Sequence, residues 1–472
     1  MTTKRLPGGQ PLPIEEERLK PLLRDAILGA RSALSSVPVK EQRQSVYRPT
    51  ETGVASAELP VPMYRKSEIW EAGDRIQRLP EARALLDYLW SKNALAMELI
   101  ADGDAEPTFD GWVSFVWVDL IREPLLYLCA LAATRDLSDR GEHVPWSVDE
   151  RDLDRAVDDL VALFCRRIRT FEALCPVINA VVEGDSFDVG RGITISSWTA
   201  AEHALFLTRY ESEYLDDDSS LWGRGALVKV RMSVSAERDD YGLSTSYAST
   251  VKRDAIASKA IADLLDRLKW ATIIACGGIV LEEGPVVVRT PSGGRIRTLR
   301  RGDTVFRTRS YQCPIFNDAT VSQMRRELDG LQSLSDQAST VEEIVWALGR
   351  SCAAQLARDA LLEAAIGLER LLLPREAGES TYKFRLHGLG VLKEADATAL
   401  DRDLRDIYRL RSRAAHGSGQ ADDVFDVLGP RARTLLAMAL QQAVALFGSG
   451  ELKVAATGGH IGDAVAGTCQ RQ

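Results

Sequence analysis

The stretch Tyr408-Arg409-Leu410-Arg411-Ser412-Arg413-Ala414-Ala415-His416-Gly417 places a histidine five residues after an arginine. Residues 400 to 416 read as a helix, because Leu400, Leu404, Ile407, Ala414 and Ala415 recur at three-four spacing and Gly417-Ser418-Gly419 supplies a stop. At about 100° per residue Arg411 falls inside that apolar stripe and Arg409 on the opposite face. A guanidinium on a core-facing stripe needs an anion or another desolvated partner, since burying it alone costs several kcal/mol.

A carboxylate stands in the same predicament one helix earlier. Residues 341 to 373 form a long apolar-periodic run in which Glu369 shares a stripe with Leu362, Ile366 and Leu373. The two charges could satisfy each other as a structural pair across a bundle, or mark a functional site. The pattern leaves both readings open.

Three ordered blocks carry a resemblance: Ala365-Ile366-Gly367-Leu368-Glu369-Arg370-Leu371-Leu372, then Tyr382-Lys383-Phe384-Arg385, then Ile407 through Gly417. Together they resemble a bacterial HEPN domain, most similar to the ApeA-like branch, over roughly residues 320 to 450. The family signature is an arginine, four to six residues, then a histidine. Arg411 to His416 fits with four between and Arg409 to His416 with six, and the helical face and Leu-Arg-Ser context favour Arg411. The family often has Asn, Asp or His directly after the arginine, where this chain has Ser412.

What the resemblance implies is a metal-independent endoribonuclease without cofactor. Arg411 would clamp phosphate, His416 would move protons, Ser412 and Glu369 would support them, and Arg409 and Arg413 would hold RNA. The resemblance also implies a homodimer with a composite site, a toxin or anti-phage role, and an antitoxin or phage-derived trigger as partner. The alternative is a non-catalytic HEPN module, an RNA- or nucleotide-binding sensor or dimerisation adaptor, in which Glu369 satisfies Arg411 and His416 merely ends its helix.

Length and composition frame this reading. The 472 residues suffice for two or three domains, with 45% hydrophobic and 27% charged residues. The most apolar run, Trp112 to Ala133, contains Asp119, Arg122, Glu123 and Pro124 and reads as buried helix, so no membrane partner is expected. Seven scattered cysteines form no CxxC, and no apolar signal core follows the N-terminus, which points to a reduced, cytoplasmic protein without a cysteine zinc site. A net charge of −9 argues against a large nonspecific nucleic-acid footprint, so RNA would be gripped by local clusters.

The expected fold is mainly α with a small mixed α/β module and a C-terminal HEPN-type helical bundle. Residues 1–60 read as an N-terminal arm, partly disordered, that either docks or remains mobile, with one amphipathic helix around Glu15 to Leu34. Residues 61–215 read as a helical domain. It has a helical pattern from Ser67 to Glu98, a capped start at Ser147-Val148-Asp149-Glu150, strand character from Phe187 to Ser196, a helix carrying Glu202-His203, and an acidic loop at Glu211 to Asp218.

Residues 216–318 read as the mixed module, with a strand at Gly225 to Ser235 and a helix at Asp254 to Ile274. Short strands follow at Ile279 to Leu281, Val286 to Arg289, Ile296 to Leu299 and Val305 to Thr308, with Pro291-Ser292-Gly293-Gly294 as a turn. Its arginines, Arg295 and Arg297 among them, form a basic hairpin opposed only by Asp303, either a solvated face or a surface that tracks phosphates or docks an acidic partner. The glycines there lack a following Lys-Ser/Thr and helix, so they are not a P-loop. Residues 319–449 are the HEPN-like bundle and 450–472 a disordered tail. On the motif helix, Asp401, Asp403 and Asp406 interleave with Arg402 and Arg405, which predicts pairing along the helix surface.

Overall fold

The computed structural model describes residues 14–50, 53–63, 72–73, 75–92, 120–140, 144–165, 168–199, 202, 225–235, 247–284, 286–289, 297–299, 313–333, 338–374, 380–392, 396–415, 422–451, 462 and 465. The described residues are mainly helical, with small antiparallel sheets. The chain forms two compact units, Met1–Ala262 with Glu283–Gly302, and Asp263–Glu282 with Asp303–Gln472. Among the described residues no helix is long and apolar enough to cross a membrane.

In the first unit α1 (Glu16–Leu34) is a core helix. Leu19, Leu23, Ile27 and Leu34 recur on one face and are fully buried. They share a core with Leu85 and Leu89 of α2 (Pro80–Ser91), Leu125 and Leu128 of α3 (Glu123–Arg140), and Leu153, Val157 and Leu160 of α4 (Glu150–Cys165). Of the two outcomes open to the arm, docked or mobile, this helix is docked, held by the apolar surface it buries. The same segment also contains the start of an antiparallel hairpin, β1 (Lys40–Thr50) and β2 (Gly53–Met63), with Thr50 opposite Gly53. α4 begins where the Ser-Val-Asp-Glu cap is written, since the Asp149 carboxylate accepts from the Arg151 backbone N–H at 2.9 Å.

The remaining strands of this unit are β3 (Ile168–Val177), β4 (Val181–Val182), β5 (Ser186–Gly190), β6 (Ile193–Ser197), β7 (Ala226–Ser235), β8 (Val286–Arg289) and β9 (Arg297–Leu299). Six of them form one antiparallel sheet in the order β5-β6-β7-β3-β8-β9. Strand β3 sits inside that sheet. A boundary at residues 215/216 therefore cuts through continuous pairing, because β7 and β8 both pair with β3. The β8–β9 hairpin forms as read, whereas Ile279 to Leu281 forms no strand. Val305 to Thr308, the acidic loop, His203, the Pro291 to Gly294 turn and most of the 450–472 tail lie outside the described residues.

The long helix α5 (Tyr247–Ala275) gives the second unit its residues from Asp263 onward. It ends on Gly277, which takes the left-handed φ of 62° that a non-glycine resists, while the Gly278 N–H donates to the Ile273 carbonyl at 2.7 Å. After β10 (Ile315–Phe316) come α6 (Asp318–Ser333), α7 (Ala338–Ala353), α8 (Ala357–Leu372), α9 (Ser380–Leu392), α10 (Ala397–Ala415) and α11 (Asp422–Gly448). The run read as continuous over 341–373 is two helices. It breaks at residues 354–356, where Leu356 is extended, although no glycine or proline marks the spot. The two helices run antiparallel: Arg350 pairs with Glu363 at 2.8 Å, Ser351 Oγ donates to the Ala360 carbonyl at 2.7 Å, and Arg370 pairs back to Glu343.

Candidate functional site

Helix α10 buries Leu400, Leu404, Ile407, Leu410 and Ala414. The stripe thus turns through Leu410, and Arg411 borders it with 37% of its side chain exposed. Glu369 likewise flanks the buried face of α8, which includes Ala364, Ala365, Leu368, Leu371 and Leu372, and keeps 17% side-chain exposure. Both charges sit at the edge of apolar stripes. There Arg411 Nη2 meets Glu369 Oε2 at 3.0 Å. Burial pushes the Glu369 carboxyl up from its ordinary range and the adjacent Arg411 charge pulls it down.

Neighbouring contacts fix α10 in place. The Arg385 guanidinium from α9 grips Asp401 through Nε at 2.7 Å and Nη2 at 2.5 Å, which holds the Asp401 carboxyl below its ordinary range. Arg431 of α11 donates to Asp403 at 2.7 Å. Two of the three acids expected to pair along the helix surface therefore tie α10 to its neighbours. Arg405 does lie against Asp406, at 3.4 Å. Tyr408 donates to Ser380 Oγ at 2.8 Å and its ring tilts against Phe384 with centroids 5.2 Å apart. The blocks Tyr382 to Arg385 and Ile407 to Arg411 are thus in direct contact.

Of the other site residues, Arg409 and Ser412 are exposed and Arg413 is half-buried. His416 and Arg295 lie outside the described residues. Arg297 is in β9 opposite Val288, in the row that continues through Ala173 and Val230, and Arg289 occupies the alternate row beside Glu172. The register sets Glu172 between Arg231 and Arg289 along the backbone pairing.

One residue gave no signal in the sequence. Arg358, in the first turn of α8, donates to the Ala414 carbonyl at the C-terminal end of α10. It brings a second guanidinium to the helix end that His416 follows. Such a contact joins residues distant in sequence, and local pattern does not encode it.

Among the described residues no group of three or more His, Cys, Asp and Glu is placed to hold a metal. Burial pushes the thiols of Cys129 and Cys276 upward, the latter to about 12, so neither is a thiolate at neutral pH. Glu202 is buried but accounted for, paired with Lys229 and accepting from the Thr199 N–H at 2.9 Å. Compared with protein-family models, with curated proteins and with solved structures, the chain finds no match in any of the three.

Proposed function

We propose that this chain is a HEPN-type, metal-independent endoribonuclease whose site is centred on Arg411 and His416. The observation that carries the reading is the Arg411 guanidinium, held at the end of α10 by a carboxylate from α8 with more than a third of its side chain open. An arginine so placed can take a phosphate through two hydrogen bonds. The chemistry then asks little of the protein. The 2′-oxygen attacks phosphorus while its proton passes to a base, the bond to the 5′-oxygen breaks, and that oxygen takes a proton. The products carry a 2′,3′-cyclic phosphate and a 5′-hydroxyl. On this reading His416 is the proton carrier, and Arg411 balances the charge developing on phosphorus.

One arginine and one histidine make a thin site, and two copies of the chain meeting about α10 would double it. We assign the homodimer, the RNA substrate and a role as a toxin or anti-phage effector to this proposal. Arg409 and Arg413 extend positive charge along the same helix turn toward the RNA backbone. An antitoxin or phage-derived trigger is the expected regulator.

The Glu369–Arg411 contact itself favours a second reading, a non-catalytic HEPN sensor or adaptor in which that pair is structural. Metal-free cleavage separates the two. The protein in EDTA is expected to cut RNA to cyclic-phosphate ends, with Arg411→Ala and His416→Ala each losing at least about a hundredfold while remaining folded. Absence of cleavage across total, transfer and phage RNA would support the adaptor, and cleavage surviving both substitutions would remove the assigned site.

A further inference from the structure

Two polar atoms of this site are shut off from water and have no partner. Arg411 Nε and Glu369 Oε1 are buried and make no hydrogen bond, although Nη2 and Oε2 of the same two groups meet at 3.0 Å. A guanidinium and a carboxylate satisfy each other best through two parallel contacts. Here one is made, and the atoms that would form the second stand idle. A pair selected only for stability gains from closing that second contact, because buried orphans are costly. The exposures are also unequal: 37% for the cation and 17% for the anion. The arginine side chain is the more open of the two and the carboxylate the more enclosed.

We propose that Glu369 is the positioning residue that holds the Arg411 guanidinium until an incoming oxyanion, the RNA phosphodiester on the reading above, draws it away. The inference rests on that reading for the identity of the anion. Once Arg411 turns to phosphate, Glu369 is left in its half-buried place beside a second negative charge, and it takes up a proton.

The charged groups on the helices packed against α8 are engaged with other partners. On α7, Glu343 and Arg350 are engaged with Arg370 and Glu363. On α9, Arg385 is bound to Asp401, and His387 lies with Nδ1 2.6 Å from the Leu372 carbonyl. On α11, Arg431 is bound to Asp403. Of these charges only that of Arg411 bears on the Glu369 carboxyl, whose protonated form is already favoured by burial.

The test is calorimetric binding of sulfate, which does not titrate near neutrality, and of a 2′-O-methyl RNA oligonucleotide, which cannot be cut, to the full chain between about pH 5.5 and 8. Wild type is expected to bind both more weakly as pH rises, since binding takes up a proton. Glu369→Gln keeps the shape and drops the charge. It is expected to bind about tenfold tighter at pH 8, with the pH dependence flattened, the size of one unit of proton linkage. Arg411→Ala abolishes the response in either background.

A folded Glu369→Gln protein that binds no tighter, or keeps the pH dependence, overturns the proposal, as does anion binding indifferent to Arg411. Should Glu369→Gln fail to fold, Glu369→Asp carries the test: the shortened carboxylate loosens its hold, so tighter, still pH-dependent binding is expected and unchanged or weaker binding overturns it. Tightened binding without RNA cleavage would remove the nuclease and keep the latch. Arg411-dependent cleavage with unaltered binding would do the reverse.

Discussion

Glu327, on α6, is only 2% exposed, accepts a hydrogen bond from Gln323 through Oε1, and leaves Oε2 without a partner. Burial raises its carboxyl to about 7 against an ordinary value of 4.5. The folded state therefore binds a proton that the unfolded state has already released. The stability this contributes is complete below pH 4.5 and is lost as pH climbs to about 7. Glu327→Gln should consequently be more stable than wild type at pH 8 by on the order of 2 kcal/mol and indistinguishable from it at about pH 4. Urea midpoints at the two pH values check this, and equal midpoints at pH 8 would contradict it. Sequence gave no hint of Glu327, because a carboxylate among polar helix residues looks solvated until the neighbouring helices are in place. Arg411 and Glu369 were legible as anomalies of spacing, and their contact confirms that the anomalies belong together. That each lies beside its stripe was not legible, since Leu410 and Arg411 are adjacent and period alone does not say which faces inward.

Helices α9 and α10 approach closely because Gly388 has no side chain. A Cβ there would lie 2.5 Å from Leu404 Cδ1, and Leu404 is fully buried and has nowhere to go. Gly388→Val is expected to cost about 2 kcal/mol by overpacking. It would also shift the Phe384–Tyr408 contact, a change that near-ultraviolet dichroism would report alongside the denaturation midpoint. The existence of α1, α4, α10 and the β8–β9 hairpin was readable from apolar period and capping residues. The break at residues 354–356 was not, since no breaker residue marks it and the corner is closed by Ser351 and Ala360 reaching across it. The acids of α10 show the same limit: their spacing suits pairing along one helix, yet Arg385 and Arg431 on adjacent helices claim Asp401 and Asp403.

The second unit is discontinuous in sequence. Its helices close on residues 263–282: Thr272 Oγ1 lies 3.9 Å from Met324 Sδ, Gln441 Nε2 donates to the Ile274 carbonyl at 3.2 Å, and Lys269 stands 5.4 Å over the Trp346 ring. Leu265, Leu268, Ile273 and Ile274 are buried there. A fragment of residues 319–449 alone would expose those partners and is expected to melt broadly or at a much lower temperature than one that includes residues 263–318. Equal cooperative melting of the two fragments would show that the preceding helix is dispensable. The sequence boundary at 318/319 followed the change from strand to helix pattern. That change does not coincide with the edge of the unit, because its first helix lies upstream of the strands.

The chain's own order of residues sets the helical class of most of the molecule, the position of α1 and α10, the strands around residues 226–235 and 286–299, and the singling out of Arg411 and Glu369. All of these rest on local period, capping and the cost of a misplaced charge, which a linear pattern carries. Which strands share a sheet, that α1 is core, that β7 and β8 flank β3, and that Arg358 reaches the end of α10 depend on surfaces distant in sequence meeting. Such meetings are settled by complementary burial and pairing across the whole fold, where the free energy belongs to the contact and not to either segment.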